Sequence, residues 1–320
     1  MTAVPSDFGA HYRRDRLPRG AAEIYDRMTA QIDAGARSGA LELPDGCGRE
    51  EVHEAYRALR DDRPEYFFLS PRYLLESCGA RRTIRECWLY TPRQCERITR
   101  LLRKKLCLLT RGAAWCSPIE RETLVYERLA RGLRYNNRAD ARDHNAVGPV
   151  LEGTGVCEGH NALLLLALRR VGIPCIKVIG KTARGGAHCW CVAWIDGAPV
   201  HCDVTWEKAD CGAVPFAHFN LTDEQIAADH FAFRSNGTPR CTKTGLDFYS
   251  QNGLLVKNAA QLARLFREQR TQNAPLRAGL WADPETLHAQ IALALAMAGV
   301  TGGARYLCGK GLKNVLVERV

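Results

Sequence analysis

The sequence predicts an α+β protein, and three observations carry that prediction. Apolar residues recur at helical spacing through the first half, the period shortens to two after Cys175, and an Asp196-Gly197 pair separates two of the short-period segments. The expected order is therefore helices, then antiparallel strands. Residues 1–116 form a helical N-terminal region with one or two short strands, 117–250 the core, and 251–320 a C-terminal extension of helices and strand.

Helices are expected over Ala21 to Ile32 and Arg49 to Arg60, the second with Val52, Ala55, Tyr56 and Leu59 on one face and Pro64 as its stop. Thr91-Pro92-Arg93-Gln94 is a capping box with proline at the first helical position, so a helix should run to about Leu109. Its apolar stripe is Cys95, Ile98, Leu102, Leu106 and Leu109. Ser117-Pro118-Ile119-Glu120 repeats the device, opening a helix whose Leu124, Val125, Leu129 and Leu133 should pack inward. A polar stretch then leads through Gly148, Gly153 and Gly155 into the apolar run Ala162 to Leu168, which Gly172-Ile173-Pro174 stops. Strands are expected over Cys175 to Thr182, His188 to Ile195 and Val200 to Trp206. Farther on lie helical segments at Ala259 to Gln269 and Pro284 to Met297, and a last strand near Leu312 to Val317.

Composition narrows the function. Hydrophobic residues make up 46% and charged ones 25%, without repeats or low-complexity tracts, as in a folded globule. The longest apolar runs reach about half of what a membrane-spanning helix needs, so no membrane span is expected. The first twenty residues lack an apolar h-region with a small-residue cleavage site, which points away from a secretory signal and towards the cytoplasm. Fourteen cysteines at irregular spacings, with no CxxC, are those of a reduced protein with mostly buried thiols. The net charge of +10 is densest between Arg81 and Lys105, where nine basic residues face only Glu86 and Glu96. That stretch has no groove-reading motif and only Trp88 and Tyr90 as stacking aromatics, so a solvated helix face is expected and nucleic acid is not the expected partner.

The chemistry is concentrated around Cys157. It sits where the glycine-rich loop meets the apolar helix, so unpaired backbone N–H groups and the positive helix end favour its thiolate. The same N–H groups suit an oxyanion formed when that thiolate attacks a carbonyl carbon. Taken alone, Cys157 is equally well a small buried residue. The hairpin adds what Cys157 lacks, because a two-residue Asp196-Gly197 turn sets residue 195 opposite 198, and so Trp190 opposite Asp203 and His188 diagonal to it. His188 and Asp203 then share one sheet face. A carboxylate on one imidazole nitrogen fixes the tautomer and leaves the other to take the thiol proton. A zinc centre is the competing use of His188, Cys189, Cys191, His201, Cys202 and Cys211, which fall within a short stretch. Alternation argues against it, since Cys189, Cys191 and Cys202 point away from His188, His201 and Asp203, with Cys191 directly across from Cys202 as a buried or oxidisable thiol pair.

The blocks GTGVCEGHNALLLLALRRVGIPCIKVIG, HCWC and VHCDVTW resemble the Cys, His and Asp blocks of the transglutaminase-like superfamily in order and spacing. Gly159, Gly172-Ile173, Trp190 and Thr205-Trp206 fit the same pattern. The resemblance extends more weakly through Tyr25, Ala55-Tyr56, Asp62-Arg63-Pro64-Glu65, Phe219-Asn220-Leu221-Thr222-Asp223 and Asn252-Gly253-Leu254, which are similar to bacterial uncharacterised transglutaminase-domain proteins. It implies a papain-like core, in which the helix bearing the cysteine packs on an antiparallel sheet bearing histidine and aspartate. It also implies Cys157 as nucleophile, His188 as general base and acid and Asp203 as orienter, with no metal or organic cofactor. The implied activity is acyl transfer from, or hydrolysis of, an amide or peptide substrate. A non-catalytic protein-binding module on the same fold is the alternative. This sequence departs from the family at Cys189 and Cys191, where Ala and Asn are common, and at His160 and His201, where an aromatic is usual. Tyr135, Asn136 and His144 are upstream candidates for a second oxyanion donor.

Overall fold

The computed structural model describes residues 8–35, 40–78, 81–207, 215–233, 237–270, 276–280, 284–300, 304–308 and 314–319. The chain forms two compact units, Met1–Val125 with Arg134–Lys177, and Tyr126–Leu133 with Val178–Val320. Helices and antiparallel sheets are mixed, as the α+β class requires.

The first unit opens with α1 (Arg19–Asp33), β1 (Leu41–Glu42) and α2 (Arg49–Asp62). Ile24, Tyr25 and Met28 of α1 and the expected stripe Val52, Ala55, Tyr56 and Leu59 of α2 share one buried cluster. Next come β2 (Leu69–Cys78) and β3 (Arg81–Trp88), antiparallel to each other, with β1 on the far side of β3. The basic segment 81–105 is thus not one helix face: its first part is strand, and α3 (Pro92–Leu109) carries the rest. The capping box at Thr91 forms, the five expected stripe residues of α3 are buried, and Arg93, Arg97, Arg100, Arg103 and Lys104 are exposed. In α4 (Pro118–Gly132) Ser117 donates its N–H and its hydroxyl to Glu120, both at 2.7 Å. Val125 and Leu129 are buried there and Leu124 is half-buried. The unit continues with β4 (Arg134–Tyr135), α5 (Val147–Leu151), β5 (Thr154–Gly155) and α6 (Cys157–Arg170). Near the end of α6, Arg169 donates to the carbonyls of Asp62, Gly9 and Cys175 at 2.7, 2.8 and 3.2 Å. Asp62 in turn accepts the backbone N–H groups of Arg13 and Arg14 at 3.0 Å.

The strand β6 (Cys175–Thr182) leads into the second unit. It is followed by β7 (Ala187–Ile195), β8 (Ala198–Cys202), α7 (Asp223–Ile226) and β9 (His230–Phe231), and the four strands form a sheet of order β8-β7-β6-β9. Asp196 and Gly197 have φ of 50° and 78°, both left-handed, as a two-residue hairpin turn requires. They set Ile195 opposite Ala198 and Cys191 opposite Cys202, the expected register. The strand expected to run to Trp206 instead ends at Cys202, because Asp203 turns its carboxylate onto the Thr205 N–H at 2.8 Å and caps a 3-10 turn over Val204–Trp206. The C-terminal part holds α8 (Phe248–Gln251), β10 (Leu255–Val256), α9 (Ala259–Gln269), β11 (Leu276–Leu280), α10 (Pro284–Met297), β12 (Ala304–Cys308) and β13 (Asn314–Arg319). The helices α9 and α10 have their expected bounds. The strands form a second sheet, β10-β11-β13-β12, of which only β13 was expected from the sequence. Leu262 and Phe266 of α9, Ile291 of α10 and Ala278, Leu280 and Val315 of the sheet bury one another.

Burial raises the Asp62 pKa, against its two amide donors, from 3.8 to about 6, so its stabilising contribution is present below pH 3.8 and is lost as pH rises through about 6. Asp62→Asn removes that titration. The stability of the wild type relative to this variant should fall by about 2 kcal/mol from mildly acid to neutral pH, read as hydrogen-exchange protection of α1 and α2. Cys191 and Cys202 are both wholly buried thiols. They should resist an aromatic disulfide reagent in folded protein and react on unfolding; rapid titration of both in the native state would contradict this packing.

Candidate active site

Cys157 is the first residue of α6, half-buried, after Val156 in extended conformation. The first amides of a helix have no acceptor inside it, and the dipole adds positive potential there, so the position favours a thiolate. The approach to it is held by β4 and β5, which pair in parallel and set Tyr135 beside Gly155. Asp143 is the organiser of that loop. Its carboxylate accepts from the Asn136 side chain at 2.9 Å and the Asp140 N–H at 3.0 Å, and its carbonyl accepts the Val156 N–H at 3.1 Å. Gly159 is required beside it: a Cβ there would lie 2.3 Å from the Asp143 carbonyl oxygen. Glu158, next to the thiol, would disfavour a second anion, but it is paired with His144 at 2.7 Å and Lys177 at 3.3 Å. Burial would raise the Glu158 pKa, yet Lys177 and His144 outweigh it and hold it below the ordinary value. Of the three oxyanion candidates, Asn136 and His144 are thus engaged with carboxylates. Tyr135 remains half-exposed, its ring edge-on to His160.

His188 near the start of β7 and Asp203 just past β8 meet as the register requires, with Nε2 of His188 2.7 Å from Oδ2 of Asp203. Both are buried, Asp203 to 1% exposure. Burial alone would raise the Asp203 pKa; the charge and hydrogen bond of His188, and then those of His230, outweigh it and hold it well below the carboxylate range. Asp203 is therefore an acceptor only, and Nε2 of His188 carries the proton between them. Trp190 and Trp206 flank the His188 ring at centroid distances of 5.8 and 5.5 Å. The structure thus brings His188 and Asp203 together in the second unit, while Cys157 stands in the first.

The family departures occupy structural positions. His160 is fully buried with Nε2 3.2 Å from the Arg134 carbonyl. His201 is fully buried too, with Nδ1 accepting from the Trp190 indole at 3.0 Å and Nε2 3.0 Å from Asp223. Cys189 and Cys191 are buried, and Cys202 donates to Asn220 Oδ1 at 2.9 Å. The cluster weighed for zinc does not assemble among the described residues, and Cys211 lies outside them. His201, Asp223 and Cys241 do converge, but an indole N–H can only donate. It therefore fixes a lone pair on Nδ1 and the proton on Nε2, the nitrogen a metal would need.

Sequence reasoning missed four residues that extend the His188–Asp203 pair: His230, Asp229, His218 and Glu207. His230 Nε2 lies 3.1 Å from the same Oδ2 of Asp203, and its Nδ1 lies 2.6 Å from Asp229. Asp229 also meets His218 Nε2 at 3.1 Å, and Glu207 accepts the His218 N–H at 2.7 Å. Nothing in their spacing announces them, since they come from the segment after β8 and from the start of β9.

Residues 110–210 match the sequence model of the transglutaminase-like superfamily. No curated protein sequence matches the chain. Among solved structures it is similar to a transglutaminase (12% identity, TM-score 0.32), covering 61% of this chain and 56% of that one. It is similar to a cysteine-protease candidate from Cytophaga hutchinsonii (15%, TM-score 0.30), over 45% of this chain and 64% of that one. A third is the periplasmic domain of TgpA from Pseudomonas aeruginosa bound to ethylmercury (17%, TM-score 0.28), over 41% and 58%. The match thus spans less than two thirds of each of these chains. The matched segment contains Cys157, His188 and Asp203 in the order their blocks led one to expect, and the likeness to the transglutaminase-like superfamily is that of residues 110–210.

Proposed function

We propose that this chain is a cysteine-dependent enzyme acting on an amide or peptide bond, with Cys157 as nucleophile, His188 as general base and acid, and Asp203 as the residue that orients His188. The observation that supports it most is the buried 2.7 Å contact of His188 Nε2 with an ionised Asp203, which fixes the tautomer with Nδ1 as the working nitrogen. The helix-start position of Cys157 supports the other half, because it favours the thiolate and supplies amide donors for an oxyanion.

In this reading the Cys157 thiol gives its proton to Nδ1 of His188, and the thiolate sulfur adds to the carbonyl carbon. The tetrahedral oxyanion collapses as the C–N bond breaks, and the imidazolium hands its proton to the leaving amine, which leaves a thioester on Cys157. His188 then deprotonates water, giving hydrolysis, or an acceptor amine, giving transamidation. Hydrolysis of a peptide or protein substrate is the favoured outcome, with no cofactor used. Cytoplasmic placement accords with the many buried thiols.

The test needs no known substrate. Iodoacetamide labelling of native protein, mapped to Cys157 by mass, should have its midpoint well below the free-thiol pKa of about 8.5. His188→Ala should slow it about tenfold or more at neutral pH, while Cys157→Ala should fold with unchanged hydrogen exchange. Labelling no faster than an ordinary thiol and indifferent to His188 would overturn the proposal in favour of a binding module. Asp203→Asn, which keeps the shape and loses the charge, should lower the pH at which the His188 ring loses its second proton, seen by NMR of the imidazole.

A further inference from the structure

Behind Asp203 the second unit continues an alternation of rings and carboxylates, His188, Asp203, His230, Asp229 and His218, which ends at Glu207 through the backbone N–H of His218. All six are buried. His188 and His218 each bring one nitrogen within hydrogen-bond distance of a carboxylate, at 2.7 and 3.1 Å. His230 alone brings both, Nε2 to Asp203 Oδ2 at 3.1 Å and Nδ1 to Asp229 Oδ1 at 2.6 Å. An ionised carboxylate can only accept. If both are ionised, each His230 nitrogen must carry a proton, because a lone pair facing either oxygen would leave two acceptors in contact inside the protein.

We infer that His230 is a doubly protonated imidazolium bridging Asp203 and Asp229, and that it is a positioning residue which sets the basicity of His188 through their shared carboxylate. Two anions face it, and they must outweigh the neighbouring imidazoles, of which His218, despite its burial, has its pKa raised by Asp229. Asp203 and Asp229 supply two negative charges; Trp206 and Trp190 lie at ring-centroid distances of 4.5 and 4.7 Å; and His188 and His218 lie at 5.2 and 5.4 Å. Burial would raise the Asp229 pKa, but the bonds of His218 and His230 outweigh it and bring it to about 2, so Asp229 is an anion at neutral pH. Glu207, at the end of the series, is pushed up by burial to about 7 and has two backbone N–H donors, from Phe216 and His218. Asp203 is thereby pinned from three sides, by His188, His230 and the Thr205 N–H, and cannot swing away from His188. The bridge also shares the Asp203 charge between two rings. His188 thus binds its second proton less tightly than beside a lone carboxylate, which keeps it able to return a proton to a leaving amine.

This role for His230 rests on the triad reading, but its charge is measurable without it. Long-range ¹⁵N–¹H spectra of histidine-labelled protein should show both ring nitrogens of His230 protonated from about pH 6 to 8, with neutral His201 as an internal contrast. In His230→Asn, which keeps a donor and loses the charge, the His188 midpoint should rise by about one pH unit or more, as expected for a cation removed from 5.2 Å away. The low-pH limb of Cys157 alkylation should move upward with it, while His230→Gln, the other neutral donor, should match. A single protonated nitrogen on His230 in the wild type would overturn the inference, whether or not either variant folds. So would an unmoved His188 midpoint in folded His230→Asn, or stoichiometric zinc, which would take up the lone pairs assigned here to protons. Ordinary reactivity of Cys157 in the wild type would sink the triad alone and leave the His230 charge standing.

Discussion

The second unit depends on keeping one buried carboxylate charged. An isolated carboxylate withdrawn from water to the depth of Asp203 would cost several kcal/mol and would take up a proton instead. It stays ionised because donors converge on it from separate stretches of chain: His188 on β7, His230 on β9 and the amide of Thr205 in the turn that Asp203 itself caps. Its backbone is tied as well, with the carbonyl accepting from Tyr126 at 3.0 Å and the N–H donating to the His218 carbonyl at 2.9 Å. The end of β8, the 3-10 turn and the docking of β9 are thus several consequences of one electrostatic requirement. Removing any single donor leaves a partly uncompensated charge, which is why such networks fail by breaking one partner rather than by weakening evenly.

The thiol end is governed by a different constraint, that of backbone approach. α6 begins against the loop organised by Asp143, so closely that only glycine fits at position 159. That contact fixes where the helix starts and therefore which residue stands first on it. The acid that follows Cys157 is neutralised by Lys177, which reaches Asp61 at 2.9 Å as well as Glu158. An unpaired Glu158 would raise the thiol pKa by like-charge repulsion; a paired one leaves the helix end to act on the sulfur.

Much of this was legible from local chemistry. The Asp196-Gly197 turn fixed the β7–β8 register by itself, because its left-handed geometry allows one pairing and the pairing carries His188 to Asp203. The capping box at Thr91 and the apolar stripe behind it gave α3 its bounds, since the deciding groups lie within four residues of one another. What escaped lacks a local signature. β2 and β3 leave most of their side chains exposed or half-exposed, so no apolar alternation marks them, and their basic residues resemble a solvated helix face instead. β10, β11 and β12 are short, and β10 pairs with β11 across α9 while β11 pairs with β13 across α10 and β12. His218, Asp229 and His230 matter only through contacts with Asp203 and one another, which no spacing in the sequence encodes.

The weaker family-like positions make the same point from the other side. Tyr56 donates to the Ser70 carbonyl at 2.7 Å, Asp62 receives the chain at Arg13 and Arg14, Asn220 adopts a left-handed φ of 57° while accepting from Cys202, and Asp223 meets His201. Each satisfies a buried polar group or a strained turn, so folding is reason enough for these identities. The His188–Asp203–His230–Asp229 series is of another kind. A buried array of charges is a poor way to gain stability, because well-packed apolar side chains of similar volume commonly do as well or better. Stability alone therefore does not account for three imidazoles and three carboxylates buried together from His188 to Glu207.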